Sequence, residues 1–219
     1  MPKVRKYADV SLLALSVKRE PPPLKLALGL DLGTSCGLSY CWFNPEAPLD
    51  PTGYPIVMGQ LDLSLGRWDS PAVQPARLRQ MLRGLDPDVC FFENTRHTPP
   101  DTGFPSVAAV LARAATAIEF FAALKSVITA WGTERNIPVV GIEIADIKRR
   151  ATSKGNASKA DVIAACNEQF GTKFGTEDYE QTGADDVADS VWCLVVGLEM
   201  IGRGLSGDPE APPKKRVVR

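Results

Sequence analysis

Apolar residues in this chain fall into short blocks that alternate between strand and helix periods. LALGL, ending in Asp31, and LSYCWF are compact apolar runs of strand length, separated by a turn containing Gly33 and Gly37. They predict strands over 25–31 and 38–43, and a third strand is expected over 54–63. Residues 72–85 place Leu78, Met81 and Leu82 on one face, the spacing of a helix. DVCFFE predicts a short buried strand over 88–93. A Pro- and Gly-rich loop, 98–105, precedes a long helix over 106–131. Its apolar positions (Val107, Val110, Leu111, Ala114, Ile118, Phe121, Val127, Ile128 and Trp131, widened by Phe120 and Leu124) form a stripe broad enough to serve either a central helix or a homodimer. A strand over 137–144 and helices over 158–170 and 185–202 complete the pattern. Three successive strands suggest an antiparallel meander, and the later alternation suggests parallel pairing. The expected fold class is therefore α/β, a mixed five-stranded sheet flanked by helices.

Pro21-Pro22-Pro23 sets off a basic extension, 1–23, from the domain expected over 24–205. Residues 206–219 form a polar, basic tail expected to be disordered. With 44% apolar and 23% charged residues, the 219-residue chain has the composition of an ordinary globular protein. Its net charge of −1 hides an uneven distribution. Residues 1–22 carry five Lys or Arg against two acids, and 207–219 carry four against two, so the middle is strongly acidic. Within that acidic middle, IKRRATSKGNASK concentrates Lys148, Arg149, Arg150, Lys154 and Lys159, so a polyanionic partner remains compatible with the total. The five cysteines form no CxxC and read as small buried hydrophobes of a reducing, cytoplasmic compartment. No signal peptide or membrane span is expected.

Four acids change the picture from architecture to chemistry. Asp31 ends the first strand, Glu93 ends the fourth, and Asp186 and Asp189 open the last helix one turn apart. Each has an ordinary explanation when taken alone. Asp31 fits a turn, and Asp185, beside Asp186, fits a helix N-cap and is an alternative ligand to it. Glu93 has no turn preference to account for its place after Val-Cys-Phe-Phe, and Asp189 precedes a run of Val, Trp, Cys, Leu, Val and Val. Carboxylates brought together at element ends repel one another unless a hard cation with oxygen ligands cancels their charge. Two divalent ions roughly 4 Å apart would give such a set its purpose in phosphodiester hydrolysis.

The Asp-ended first strand with its Gly-rich turn, the apolar strand ending in Glu, the GNxxxK segment and the closing D-x-A-D helix resemble, in this order, the RuvC-type Holliday-junction resolvases of the RNase H-like fold. The closest likeness is to divergent, phage-like members, and it spans about residues 25–202. The resemblance implies Asp31, Glu93, Asp186 and Asp189 as catalytic metal ligands for two Mg²⁺ ions, with Mn²⁺ able to substitute. It also implies a homodimer acting on four-way DNA junctions, with Lys148 and Lys159 at DNA-contacting positions and Phe104 as a candidate aromatic for opening the junction. His97, in the same loop as Phe104, reads as an exposed loop residue. Forks, flaps or RNA–DNA hybrids are alternative substrates. GLDLGTSCG also resembles the phosphate-binding hairpin of actin-like ATPases and sugar kinases, and a non-catalytic DNA-binding module is a third reading.

Overall fold

Strand β1 (Lys25–Asp31) occupies the centre of the sheet because almost all of it is apolar and both faces are covered; only its two ends reach the surface. It pairs antiparallel with β2 (Ser35–Phe43), which pairs antiparallel with β3 (Val57–Asp62). On the other side β1 pairs parallel with β4 (Val89–Glu93), and β4 with β5 (Val139–Ile142). The order is β3-β2-β1-β4-β5, the mixed sheet that the alternation of apolar blocks predicts. In this computed structural model residues 24–47, 50–95, 107–175 and 183–202 are described. The N-terminal extension, the segment carrying His97 and Phe104, and the basic tail lie outside them.

Each face of the sheet has its own core. On one face, helix α1 (Val73–Leu85) and the long helix α2 (Val107–Arg135) cover Leu26, Leu28, Leu30 and Cys90 with Leu78, Leu82, Leu124, Ile128 and Trp131. On the other, helices α3 (Ile144–Thr152) and α4 (Lys159–Phe170) lie outside the last helix, α5 (Ala184–Gly202). Helix α5 is buried along one continuous run from Ser190 to Leu198 and is packed on both sides, which is why its sequence is apolar all round. Among the described residues no helix is long and apolar enough to cross a membrane. All five cysteines are buried and free, as the sequence suggests.

Element boundaries differ from the expectation in instructive places. Helix α3 replaces what reads as the end of a strand followed by a basic loop. The helix is only nine residues long, too short to be stable by itself, and it forms because Ile147 is fully buried against α4 and α5. Strand β5 is correspondingly shorter than expected, and Lys148, Arg149 and Arg150 lie on a helix. The long helix continues to Arg135, one turn beyond Trp131. Helix α4 starts where expected, because Ser158 and Asp161 form a reciprocal capping box.

Two glycines let α5 lie directly on the sheet. A Cβ at Gly29 of β1 would stand 2.6 Å from the Ser190 carbonyl oxygen and 2.7 Å from Leu194 Cβ. A Cβ at Gly37 of β2 would collide with the Asp186 carbonyl. The neighbouring Ser39, paired with Gly29 across the strands, donates a 2.8 Å hydrogen bond to the Ser190 carbonyl and ties the helix backbone to the sheet. Gly37→Ala and Gly29→Ala are each expected to cost about 1–3 kcal/mol, a fall in Tm of roughly 2–12 °C. Gly33→Ala meets nothing nearer than 3.5 Å and should leave Tm unchanged in thermal denaturation.

Candidate metal centre

The parallel pairing of β1 with β4 brings Asp31 and Glu93, the last residue of each strand, to the same end of the sheet. Helix α5 approaches that end with its first turns, its position fixed at Gly29 and Gly37. Asp189 is thereby set against the two strand ends. One carboxylate oxygen each from Asp31, Glu93 and Asp189 lies within 4.8 Å of the others. Two sequence-distant strand ends and a helix thus meet as expected for three of the four acids.

The cluster is strongly perturbed. Burial, then repulsion from Glu93, Asp189 and Asp186, holds the Asp31 carboxyl well above the usual carboxylate range. Burial and the charge of Glu93 push Asp189 up to about 7. Glu93 is also raised, chiefly by burial, although a 3.1 Å hydrogen bond from the Thr95 hydroxyl and the charges of Lys148 and Lys159 oppose the shift. Three oxygen donors confined this closely, each reluctant to ionise beside the others, suit a hard divalent cation, whose charge would remove the conflict.

Asp186 stands beside this triad, outside the 4.8 Å group. Its carboxylate accepts a hydrogen bond from Ser35, whose own hydroxyl accepts one from the Gln60 side chain. Its charge still acts on both Asp31 and Glu93. The neighbouring Asp185 turns elsewhere, into an ion pair with Lys159. Burial raises the Asp185 carboxyl, but that lysine together with backbone hydrogen bonds at Asp185 and Asp186 outweighs it and the net direction is downward. The charge of Asp186 acts on Asp31 and Glu93, and that of Asp185 acts on Asp189.

The basic candidates divide into groups. Lys148 and Lys159 act electrostatically on Glu93 and Asp189 and so flank the acidic cluster. Arg149 is paired with Asp146 within its own helix and remains well exposed. Arg150 is held by Glu199 and lies 5.6 Å from the centre of the Trp192 ring, so its guanidinium secures α3 against α5. Lys154 is exposed in the turn after α3. Phe104 lies outside the described residues.

Lys125 is a site neighbour that the sequence does not single out. From α2 it reaches across the end of β4 and donates 3.0 Å hydrogen bonds to Asn94 Oδ1 and the Thr95 carbonyl. Asn94 in turn donates a 3.0 Å bond to Glu143, at the end of β5. This network braces the two residues that follow Glu93. A lone lysine inside a broad apolar helical stripe is the signal that could have drawn attention to it.

No family model and no curated protein matches this chain. Solved structures do. The chain is similar to Thermus thermophilus RuvC in complex with Holliday junction substrate, with 14% identity and a TM-score of 0.51 over 78% of this chain and 91% of that one. It is equally similar to the yeast mitochondrial Holliday junction resolvase Ydc2, with 16% identity and a TM-score of 0.51 over 88% and 85% of the two chains. The five-stranded mixed sheet with its flanking helices is the RNase H-like fold of the RuvC-type resolvases.

Proposed function

We propose that the protein is a divalent-metal-dependent endonuclease of branched DNA that resolves four-way junctions by paired nicks as a homodimer. The observation that carries this reading is the convergence of Asp31, Glu93 and Asp189 at one sheet end, on a fold shared with junction resolvases. Asp31, Glu93, Asp186 and Asp189 would hold the metal, Mg²⁺ or Mn²⁺. When bound, such ions supply an activated water and charge stabilisation for the scissile phosphate and its leaving oxygen.

The protein's own side chains have distinct tasks in this scheme. The carboxylates create a site that favours cations and repels bare phosphate. Lys148 and Lys159 offset that repulsion, drawing the DNA backbone towards the cluster from α3 and the start of α4. Ser35 and Thr95 hold the carboxylates of Asp186 and Glu93 by hydrogen bonds, so these acids keep their direction as substrate arrives. An ATP-binding reading of the β1–β2 hairpin leaves the placement of Asp189 beside Asp31 and Glu93 without a role. DNA recombination and repair are the processes in which such an activity would act.

The primary test incubates labelled four-way junction or matched duplex with Mg²⁺ or EDTA. Symmetric paired nicks are expected on the junction alone and should vanish with EDTA. Asp31→Asn should lower cleavage at least about a hundredfold, several kcal/mol of charge stabilisation at one decade per 1.36 kcal/mol, while junction binding persists in a mobility-shift assay. Equal cutting of duplex, or cutting that survives EDTA, would defeat the reading. Lys148→Ala combined with Lys159→Ala should weaken binding and lower the salt slope by about two; an unchanged slope would remove both lysines from the DNA interface.

The carboxyl cluster also predicts a pH dependence. Burial and mutual repulsion raise the folded-state pKa of Asp31, Glu93 and Asp189 above unfolded values near ~4. Their protonated forms therefore stabilise the fold fully at acid pH. That contribution is lost as pH rises from ~4 through about 7, the value for Asp189. Metal-free Asp189→Asn should melt above the metal-free wild type at pH 8, and the gap should narrow by pH 5 and close only below pH ~4. Mg²⁺ should raise the wild-type Tm at pH 8 but not that of the variant. A wild type insensitive to both pH and metal would show that the cluster carries no unresolved charge.

A further inference from the structure

Among the described residues four large apolar side chains are exposed, and two of them, Leu65 and Trp68, share the loop between β3 and α1. Trp68 is 87% exposed. The Arg67 guanidinium lies 5.0 Å from the centre of its indole ring, occupying one face and leaving the rest of the ring to solvent. Neither side chain contributes to either core. The loop that presents them is nonetheless firmly built. Leu63 donates a 2.8 Å hydrogen bond to the Thr34 carbonyl, and Gln74 donates one of the same length to the Leu63 carbonyl. Asp69 accepts from the Gly66 amide at 2.9 Å and pairs with Arg77, which also donates to the Ser64 carbonyl at 2.7 Å. An indole held outward by a braced loop, with a cation on one side, is a surface made for contact rather than a stray core residue.

Its location identifies the partner. Ser35 pairs with Asp62 across β2 and β3, so the loop leaves the sheet at the end where Asp31 lies. Trp68 is five residues beyond Leu63, which keeps it within roughly 17 Å of that anchor. A planar ring beside a positive charge, on a loop that leaves the sheet at the same end as a site for phosphodiester chemistry, matches an unstacked nucleobase with its phosphate.

We propose that Arg67 and Trp68 form a stacking platform for an unpaired base of branched DNA. This rests on the nuclease reading and adds to it a contact that a continuous duplex lacks, since its bases are already stacked on their neighbours. The ring takes the base, and the guanidinium takes the adjoining phosphate.

Binding should be measured by fluorescence anisotropy in EDTA, with labelled forked DNA bearing single-stranded arms and with fully paired duplex of the same length. Trp68→Ala is expected to weaken fork binding roughly five- to one-hundredfold, the range for loss of one base–aromatic stack, with duplex affinity unchanged within about twofold. Trp68→Phe should retain most of the fork affinity. Because the side chain is exposed, Tm should be the same in all three proteins. Saturating fork should quench wild-type tryptophan emission, and Trp68→Phe should lose that quenching. Wild-type fork affinity in Trp68→Ala, or an equal loss for fork and duplex, would overturn the platform while leaving the nuclease reading intact. Failure of the wild type to bind any DNA would overturn both.

Discussion

Everything at the acidic end of this molecule depends on how closely one helix approaches one sheet. Helix α5 lies on β1 and β2 with its backbone almost against theirs, a spacing that only residues without side chains permit at Gly29 and Gly37. Ser39 uses the room at Gly29 to grip the Ser190 carbonyl, so the contact is oriented as well as close. Asp189 is one residue before that grip. Its carboxylate reaches the ends of β1 and β4 because the helix can move neither outward nor along the sheet. A side chain at either glycine acts on the site without belonging to it, by displacing the scaffold that aims Asp189.

That rigidity has a cost, visible in the electrostatics. Apolar packing on both faces of β1 excludes the water that would otherwise solvate Asp31, and the same packing holds two further carboxylates against it. The fold therefore stores repulsion where it is most constrained, a pattern found where function outranks stability. Relief from within the protein is partial. Lys148 and Lys159 lower the carboxyls they face but do not reverse the upward shifts of Glu93 and Asp189. Lys159 is also committed to Asp185, so its charge is shared. The deficit left is one of positive charge, at a place lined by oxygen donors.

Much of this arrangement was legible from the sequence because strand ends are legible. An apolar run closed by Asp31 or Glu93 marks both the element and the end at which its acid emerges, and parallel pairing then puts the two together. The mixed, part antiparallel and part parallel, character of the sheet followed from the same blocks. Helix α3 was not legible, since its basic residues mask a single inward position, Ile147, whose burial only the tertiary structure supplies. The division among the basic residues was hidden for a related reason: charge density in a segment does not reveal that Arg150 faces Glu199 and Trp192 while Lys148 faces the acids. Lys125 was missed because its partners lie about thirty residues away, at the end of β4. Asp185 and Asp186 are adjacent in sequence, and only the hydrogen bond from Ser35 and the ion pair with Lys159 distinguish their surroundings.

These separations share a physical logic. Cations committed to the fold, such as Arg150 and Arg77, are paired with carboxylates and anchor helix or loop backbones. Lys148 acts at longer range on the buried acids, and Arg67 rests on an aromatic ring at the surface. An ion pair lowers its cation's pull on an incoming phosphate without abolishing it, as at Lys159, whereas a cation over an aromatic ring keeps its full charge and its outward hydrogen-bonding capacity. The positive field presented to a polyanion is consequently sparser than the sequence count of Lys and Arg suggests. It is also better aimed, because at Lys148 and Lys159 it borders the carboxylates at the sheet end where Asp31, Glu93 and Asp189 meet.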